Sequence, residues 1–429
     1  MNINLLKKRI VQKRFILGVI GLGYVGLPIA NRFIKKGIKV YALEQDLEKV
    51  RKLRKGINYI NNSSLKKFNY FKKNKNNISN DYSILKNCDV ILVCLPTPLK
   101  NKKPDMSFVY NCAKRLKKVL KNYQIIILES TVFPGATVEF SNKFLNKGQV
   151  LGKNIFLGYS PERENPGDRM FSYKTTPKIV SGYSVRCLEF TETVYKHVVK
   201  KIVKAKSLDS AETSKLLENL YRSVNIGLVN ELKIICDKLK IDVFEVIQLA
   251  STKNFGFQKF MPGPGLGGHC IPIDPFYLSW ASQQKGYDPK FIRLSGELNS
   301  LMPKWVVKKM LGNIKIKKPS ILLLGISYKK NVDDDRESPA FEIMKLLKEK
   351  KIKFQYNDPY FPTLRKGRNF NFSKKSILLN AKNLKKFDAT LIVTDHDFYD
   401  YKLIYKNSKK IFDARGVYKK FNYPNVVYC

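Results

Sequence analysis

The sequence predicts an α/β protein with a doubly wound fold in its first half, a long helix in the middle and a second, smaller α/β unit at the end. Three observations carry that prediction. Short apolar runs recur through both halves, and polar residues follow each one. A glycine-rich turn, Gly21-Leu22-Gly23-Tyr24-Val25-Gly26, joins the first run to a helical pattern. Leu216, Leu220, Val224, Leu228 and Leu232 recur every four residues within 211–240.

The first apolar run is Ile16–Ile20. The helix after the glycines passes through Ala30, Phe33 and Ile34 and stops at Gly37, and residues 38–43 form a second strand closed by Glu44. Each part has a physical reason. Gly21 permits the tight turn, Gly23 lets a pyrophosphate approach backbone N–H groups at the helix N-terminus, and Gly26 lets helix and strand pack closely. Tyr24 and Val25 complete the loop. Glu44, 18 residues past Gly26, is placed to accept bonds from ribose hydroxyls and to repel a 2′-phosphate. The pattern therefore predicts NAD rather than NADP as cofactor. Further strands follow at 89–94, 124–128 and 155–157, leading into Thr97, into Ser130 and Thr131, and into Glu162 and Arg163. In a doubly wound sheet these strand ends line the ligand crevice, so Thr97, Ser130, Thr131 and Glu162 converge on one site. Any one of them taken singly is as well explained as a helix cap.

In the predicted central helix, Lys215 and Asn219 are four residues apart and share a face. A lysine at such a place is ordinarily solvated. The stretch from Met261 to Asp274 carries glycines at 263, 265, 267 and 268 and prolines at 262, 264 and 272, which excludes regular structure. Loops of this kind bring backbone close to a ligand. Cys270 lies within it, either as a buried structural thiol or as a nucleophile. His269 is a poor base for that thiol, because adjacent residues in extended chain point apart. In the last third, Ser320–Leu324 predicts a strand, Ser338-Pro339 starts a helix reaching about Lys350, and further strands fall at 353–356, 389–394 and 410–412. No second GxGxxG accompanies them.

Lys plus Arg is 80 against 35 Asp plus Glu, a formal charge of +45. Such a surplus invites a nucleic-acid reading, but the lysines are dispersed along the whole chain and no nucleic-acid-binding motif accompanies them. We expect weak polyanion binding, no specific nucleic acid and no membrane segment. Seven cysteines without a CxxC pair fit a reducing compartment, and three scattered histidines supply no obvious metal site. The basic residues Lys7, Lys8, Arg9, Lys13 and Arg14 ahead of an apolar stretch imitate a signal peptide. That stretch runs directly into Gly21 with no cleavage site, so it is expected to be core strand and the protein cytoplasmic.

These motifs, in this order, resemble the UDP-glucose/GDP-mannose dehydrogenase family over nearly the whole chain. The carrying residues are Gly21–Gly26, Pro96-Thr97, Glu129-Ser130-Thr131 with Pro134-Gly135, Ser160-Pro161-Glu162-Arg163, and Ala211-Glu212 with Lys215 and Asn219. Asn230-Glu231, Gly267-Gly268-His269-Cys270 with Asp274, Tyr328-Lys329 and Asp335-Arg336-Glu337-Ser338 complete the set. The resemblance implies two Rossmann-like domains, a long central helix that forms a homodimer, and oxidation of C6 of a nucleotide sugar to the carboxylate by two NAD⁺ without metal. It divides the chain into an NAD-binding domain (1–205), a central helical region with the cysteine loop (206–305) and a UDP-sugar-binding domain (306–429).

By the same resemblance, Cys270 is the nucleophile, Lys215 and Asn219 stabilise the C6 oxyanion, Asp274 and Thr131 position water and relay protons, and Glu162 is the base for thioester hydrolysis. Gly21, Gly23, Tyr24, Val25, Gly26, Glu44, Thr97, Ser130, Thr131 and Arg336 fall to the cofactor. Glu162, Arg163, Lys215, Asn219, Gly267 and Lys329 fall to the UDP-sugar. Within the family the chain is most similar to the UDP-N-acetylhexosamine branch (UDP-N-acetylglucosamine 6-dehydrogenase), whose product feeds surface polysaccharide. Three departures weaken a UDP-glucose assignment: Ile273 stands where UDP-glucose enzymes carry lysine, Pro166 where they carry a second glutamate, and His269 where they carry serine. Retention of Cys270, Lys215 and Asp274 argues against a merely sugar-nucleotide-binding protein.

Overall fold

Strands buried on both faces read as near-continuous apolar runs, and the inner strands of this chain do so. The computed structural model describes residues 2–60, 65, 67–101, 103–163, 176–268, 271–364, 370, 372–419 and 423–429. They fall into two units, Met1–Glu218 with Phe276–Gly286, and Asn219–Pro275 with Tyr287–Cys429.

The sheet of the first unit comprises β1 (Ile16–Ile20), β2 (Lys39–Leu43), β3 (Ile78–Ser79), β4 (Val90–Val93), β5 (Gln124–Leu128), β6 (Ile155–Tyr159), β7 (Lys178–Gly182) and β8 (Ile202–Lys204). Their order is β8-β7-β6-β5-β4-β1-β2-β3. From β3 to β6 this is the parallel 3-2-1-4-5-6 order of dinucleotide folds, with its switch point between β1 and β4. Every residue of β4, β5 and β6 is buried. β7 then runs antiparallel to β6, with Gly158 opposite Gly182. The reversal puts Lys178, the first residue of β7, at the edge where the parallel strands end.

The N-terminal basic segment is a helix, α1 (Ile3–Val11), which the sequence reading did not anticipate. Asn2 caps it, and Arg9 pairs with Asp89 at 2.9 Å. The other helices used below are α2 (Gly26–Lys35), α3 (Ala136–Asn142), α4 (Val185–Lys196), α5 (Leu208–Leu239), α6 (Asp274–Gln283), α7 (Lys290–Gly312) and α8 (Pro339–Glu349). Ser338 caps α8 through the N–H of Ala340, as its sequence predicts.

The long helix α5 corrects one expectation. Its four-residue apolar series does not share a face, because each step of four turns the helix about 40° further. Leu216 is buried, but Leu228 is 61% exposed. The buried face mixes apolar Ala211, Leu216, Val229 and Cys236 with a polar set, Glu212, Asn219, Ser223 and Asn230. The opposite side carries exposed Leu217, Tyr221, Leu228, Ile235 and Leu239.

In the second unit, β9 (Ile321–Leu324), β10 (Phe354–Asn357), β11 (Ala389–Ile392), β12 (Ile411–Asp413) and β13 (Val426–Tyr428) form a parallel sheet ordered β10-β9-β11-β12-β13. This is the 2-1-3-4-5 variant of the doubly wound plan. Residues of α7 and α8 pack on its core with Phe354, Tyr356 and Leu391. Among the described residues, no helix is long and apolar enough to cross a membrane.

Candidate functional site

The glycine turn assigns its three glycines separate roles. Gly21 has φ +85°, a conformation side chains rarely adopt. A Cβ on Gly26 would lie 1.8 Å from the Gly21 carbonyl oxygen. A Cβ on Gly23 would meet nothing within 4 Å, which leaves the space a diphosphate needs. Tyr24 is exposed beside it, and at Val25 no side chain caps α2. The buried carboxylate of Glu44 accepts the N–H of Leu22 at 3.0 Å and that of Asp46 at 3.1 Å, so it also fixes the loop it serves. Tyr59 adds a bond from its hydroxyl to the Leu22 carbonyl, 2.7 Å. These residues fit a dinucleotide.

At the strand ends, the hydroxyl of Ser130 accepts the Leu95 N–H (3.0 Å) and donates to the Leu95 carbonyl (2.8 Å). Thr97 donates to the Thr131 carbonyl at 2.7 Å, and Tyr277 of α6 donates to the Thr97 carbonyl at 2.6 Å. Thr97, Ser130 and Thr131 are thus brought together, and the hydroxyls of Thr97 and Ser130 tie the two loops to each other. Glu162 follows β6. Its carboxylate lies 3.8 Å from the ammonium of Lys178. Arg163 donates to the Pro177 carbonyl and pairs with Glu218 of α5 at 2.7 Å.

Glu212, at the start of the same helix, accepts the N–H groups of Gly135 (2.7 Å) and Thr137 (2.9 Å) and the Thr137 hydroxyl. A carboxylate there satisfies the otherwise bare N-terminus of α3. Burial nevertheless pushes its carboxyl upward. The Ala211-Glu212 and Pro134-Gly135 motifs are therefore two halves of one contact. It holds the segment carrying Thr131 to the helix carrying Lys215.

Lys215 is 8% exposed, and no described residue gives its ammonium an ion pair or hydrogen bond. One turn further along α5, Asn219 donates from Nδ2 to the buried carboxylate of Asp274, the first residue of α6. Arg222 donates to the Asn219 amide oxygen. Asp274 and Asn219 are therefore direct partners.

In the second unit a ladder of buried amides supports the glycine–proline loop. Asn230 accepts the Gly263 N–H at 2.9 Å and donates to Asn299, which donates to the Ser223 carbonyl. Gly267 and Gly268 pack on Tyr328, where a Cβ would come within 2.5 and 2.9 Å of that side chain. The Gly268 N–H donates to the Arg336 carbonyl at 2.9 Å. Ile273 is buried and apolar.

The segment bearing Lys329 hangs on a buried pair. Asp358 accepts the N–H groups of Ile326 (2.6 Å) and Ser327 (2.9 Å) and a bond from His396 Nε2 (3.2 Å). The Asn331 N–H donates to His396 Nδ1 at 3.0 Å. Burial pushes the Asp358 carboxyl up, but these bonds outweigh it and hold the group below the ordinary carboxylate range. The guanidinium of Arg336 pairs with Asp334 within its own loop, at 2.6 Å.

Cys270, His269 and the position of Pro166 lie outside the described residues. Sequence reasoning missed Lys178, Tyr195 and the Asp358–His396 pair. None sits in a local motif, and each becomes meaningful only through a strand neighbour. The one available signal for His396 was its place just past an apolar strand.

Three domain models of the UDP-glucose/GDP-mannose dehydrogenase family match the chain: the NAD binding domain over 16–199, the central domain over 209–300 and the UDP binding domain over 322–420. The chain is 36% identical over 416 residues to protein CapL of Staphylococcus aureus, covering 94% of this chain and 96% of that one. It is 36% identical over 355 residues to the UDP-N-acetyl-D-glucosamine 6-dehydrogenase of Pseudomonas aeruginosa, covering 80% and 82%. The solved UDP-D-ManNAc dehydrogenase of Pyrococcus horikoshii superposes with a TM-score of 0.84 at 27% identity, covering 96% and 98% of the two chains.

Proposed function

The chain belongs to the UDP-glucose/GDP-mannose dehydrogenase family of NAD-dependent enzymes, and from that premise we propose that it oxidises C6 of a UDP-N-acetylhexosamine to the uronic acid. The observation that supports the chemistry is the buried hydrogen bond between Asn219 and Asp274. The sugar class rests on the relatives, which are named for UDP-N-acetylglucosamine and UDP-N-acetylmannosamine. UDP-N-acetylglucosamine is our first choice.

Bound NAD⁺ supplies a hydride acceptor for each of two oxidation steps. Gly21, Gly23, Tyr24, Val25, Gly26 and Glu44 hold it, with Thr97, Ser130, Thr131 and Arg336. Lys215 and Asn219 stabilise negative charge on the C6 oxygen. The Cys270 thiolate adds to C6 of the aldehyde, forming a carbon–sulfur bond and a thiohemiacetal, whose oxidation leaves a thioester. Glu162 then takes a proton from water as the water oxygen bonds to C6. The carbon–sulfur bond breaks, the thiolate departs, and the carboxylate is released. Each sugar consumes two NAD⁺ and one water and yields two NADH. Asp274 and Thr131 orient that water, while Arg163, Gly267 and Lys329 bind the UDP-sugar.

The division 1–205, 206–305 and 306–429 assigns cofactor, chemistry and UDP to successive stretches. We further propose a cytoplasmic homodimer through α5 that serves surface polysaccharide synthesis. Purified protein should be incubated with NAD⁺ and UDP-N-acetylglucosamine, UDP-N-acetylmannosamine, UDP-N-acetylgalactosamine, UDP-glucose and GDP-mannose. The expected result is two NADH per sugar with one of the N-acetylhexosamines. Preferential turnover of UDP-glucose or GDP-mannose, or none at all, refutes the assignment.

A further inference from the structure

A buried polar cluster lies behind Glu162 that the mechanism above does not use. Its centre is Lys178, 8% exposed at the side chain. The ammonium is 2.6 Å from Glu129, which is fully buried just past β5. Tyr195 of α4 donates its hydroxyl to the other oxygen of Glu129, and its ring lies 5.1 Å from the ammonium. On its far side the ammonium donates to the carbonyl of Pro161 at 3.1 Å and approaches that of Ser160 at 3.5 Å. It also lies 3.8 Å from the Glu162 carboxylate. Four polar partners thus converge on one lysine at the strand-end edge of the sheet.

Burying a lone ammonium is costly, and burying it between two carboxylates and two carbonyls is a stable arrangement. Both carboxylates lie on that one ammonium, at 2.6 and 3.8 Å. Among the described residues, the other titratable groups facing the cluster are Cys94, from the end of β4, and Arg163, whose guanidinium is committed to Glu218 and Pro177. Burial pushes the Cys94 thiol well up, so it stays neutral. Burial also pushes Glu129 up, while Lys178 pulls it back.

We propose that Lys178, anchored by Glu129 and Tyr195, is the positioning residue for Glu162: it pins the Ser160–Pro161 backbone and holds the Glu162 carboxylate in place at the strand ends. This rests on the reading of Glu162 as the hydrolytic base. Lys178 acts only through Glu162, so its loss slows thioester hydrolysis and spares the two oxidations.

The test is rapid-mixing kinetics on the full chain with the UDP-N-acetylhexosamine it turns over, with mass spectrometry of quenched enzyme for the covalent sugar adduct. Glu162→Gln sets the baseline, with a burst of two NADH per site, an accumulated adduct and hydrolysis about 100-fold slower or more. If no adduct accumulates in that variant, the base assignment fails and the proposal falls with it. Lys178→Gln keeps a donor and removes the charge. It should accumulate the same adduct at an unchanged burst rate. Its hydrolysis step should slow while both oxidations keep their rates. Lys178→Arg should restore most of the hydrolysis rate. Should Lys178→Gln not fold, the neutral pair Glu129→Gln/Lys178→Gln should slow hydrolysis and spare the burst in the same way. Unslowed hydrolysis in Lys178→Gln with Glu162→Gln behaving as stated, or burst and hydrolysis slowed equally, overturns the role of Lys178.

Discussion

Replacing Cys270 by serine keeps the size of the side chain and supplies a hydroxyl that is hardly ionised near neutral pH. Addition to the aldehyde then lacks its nucleophile, and any ester formed hydrolyses slowly. Cys270→Ser should lose steady-state oxidation by at least about 100-fold, with affinities for NAD⁺ and UDP-sugar little changed. Near wild-type four-electron turnover would make the cysteine structural. Residues of this kind are legible in sequence when their reason is local. Gly21, Gly23 and Gly26 each answer a separate steric demand within one turn, and the structure shows each demand. Lys178 was not legible, because its partner Glu129 lies 49 residues away and the two meet only because β7 reverses direction. Nothing in a single sequence announces that reversal.

At the scale of the element, α5 mixes polarity on its inner face. Beside apolar Leu216 and Val229 it buries Glu212, Asn219, Ser223 and Asn230, each with a hydrogen-bond partner from another segment. Its opposite stripe is apolar and exposed along most of its length, from Leu217 to Leu239. A helix that spends part of its inner face on a polar site and leaves leucines outside needs a second surface to cover them. Each leucine so covered is worth about 1.5–3 kcal/mol. In the proposed homodimer, a second copy of the same helix would supply that surface isologously. Light scattering at micromolar concentration should report a dimer for the wild type and a monomer for Leu228→Glu/Ile235→Glu. A monomeric wild type would sink this account. The existence of the helix was legible, from about 211 to 240 against the observed Leu208–Leu239. Its facing was not, because a strict four-residue series drifts around the helix and mixes inner Leu216 with outer Leu228.

For the whole molecule, the inner strands of both sheets were legible as apolar runs, whereas the short edge strands β3, β8 and β13 and the reversed β7 were not. Their order is another matter: 3-2-1-4-5-6 follows from the glycine turn and its acid, whereas 2-1-3-4-5 in the second unit has no motif to announce it. The net charge of +45 is also a property of the whole chain. A specific nucleic-acid site would gather its lysines beside aromatics or in one groove. Here they spread over the sequence, so the field attracts any polyanion and recognises none. Binding of heparin or of an arbitrary RNA should therefore weaken steeply as salt rises from 50 to 200 mM, by on the order of 10³-fold if several phosphates are engaged. It should do so equally for unrelated sequences, since released counterions, not base contacts, drive it. Dehydrogenase activity measured at the higher salt should be the same with and without the polyanion, because the strand-end residues that carry the chemistry are held by buried hydrogen bonds rather than by the surface field. A tight, sequence-selective complex that survives the higher salt would mean that the lysines form a built site after all.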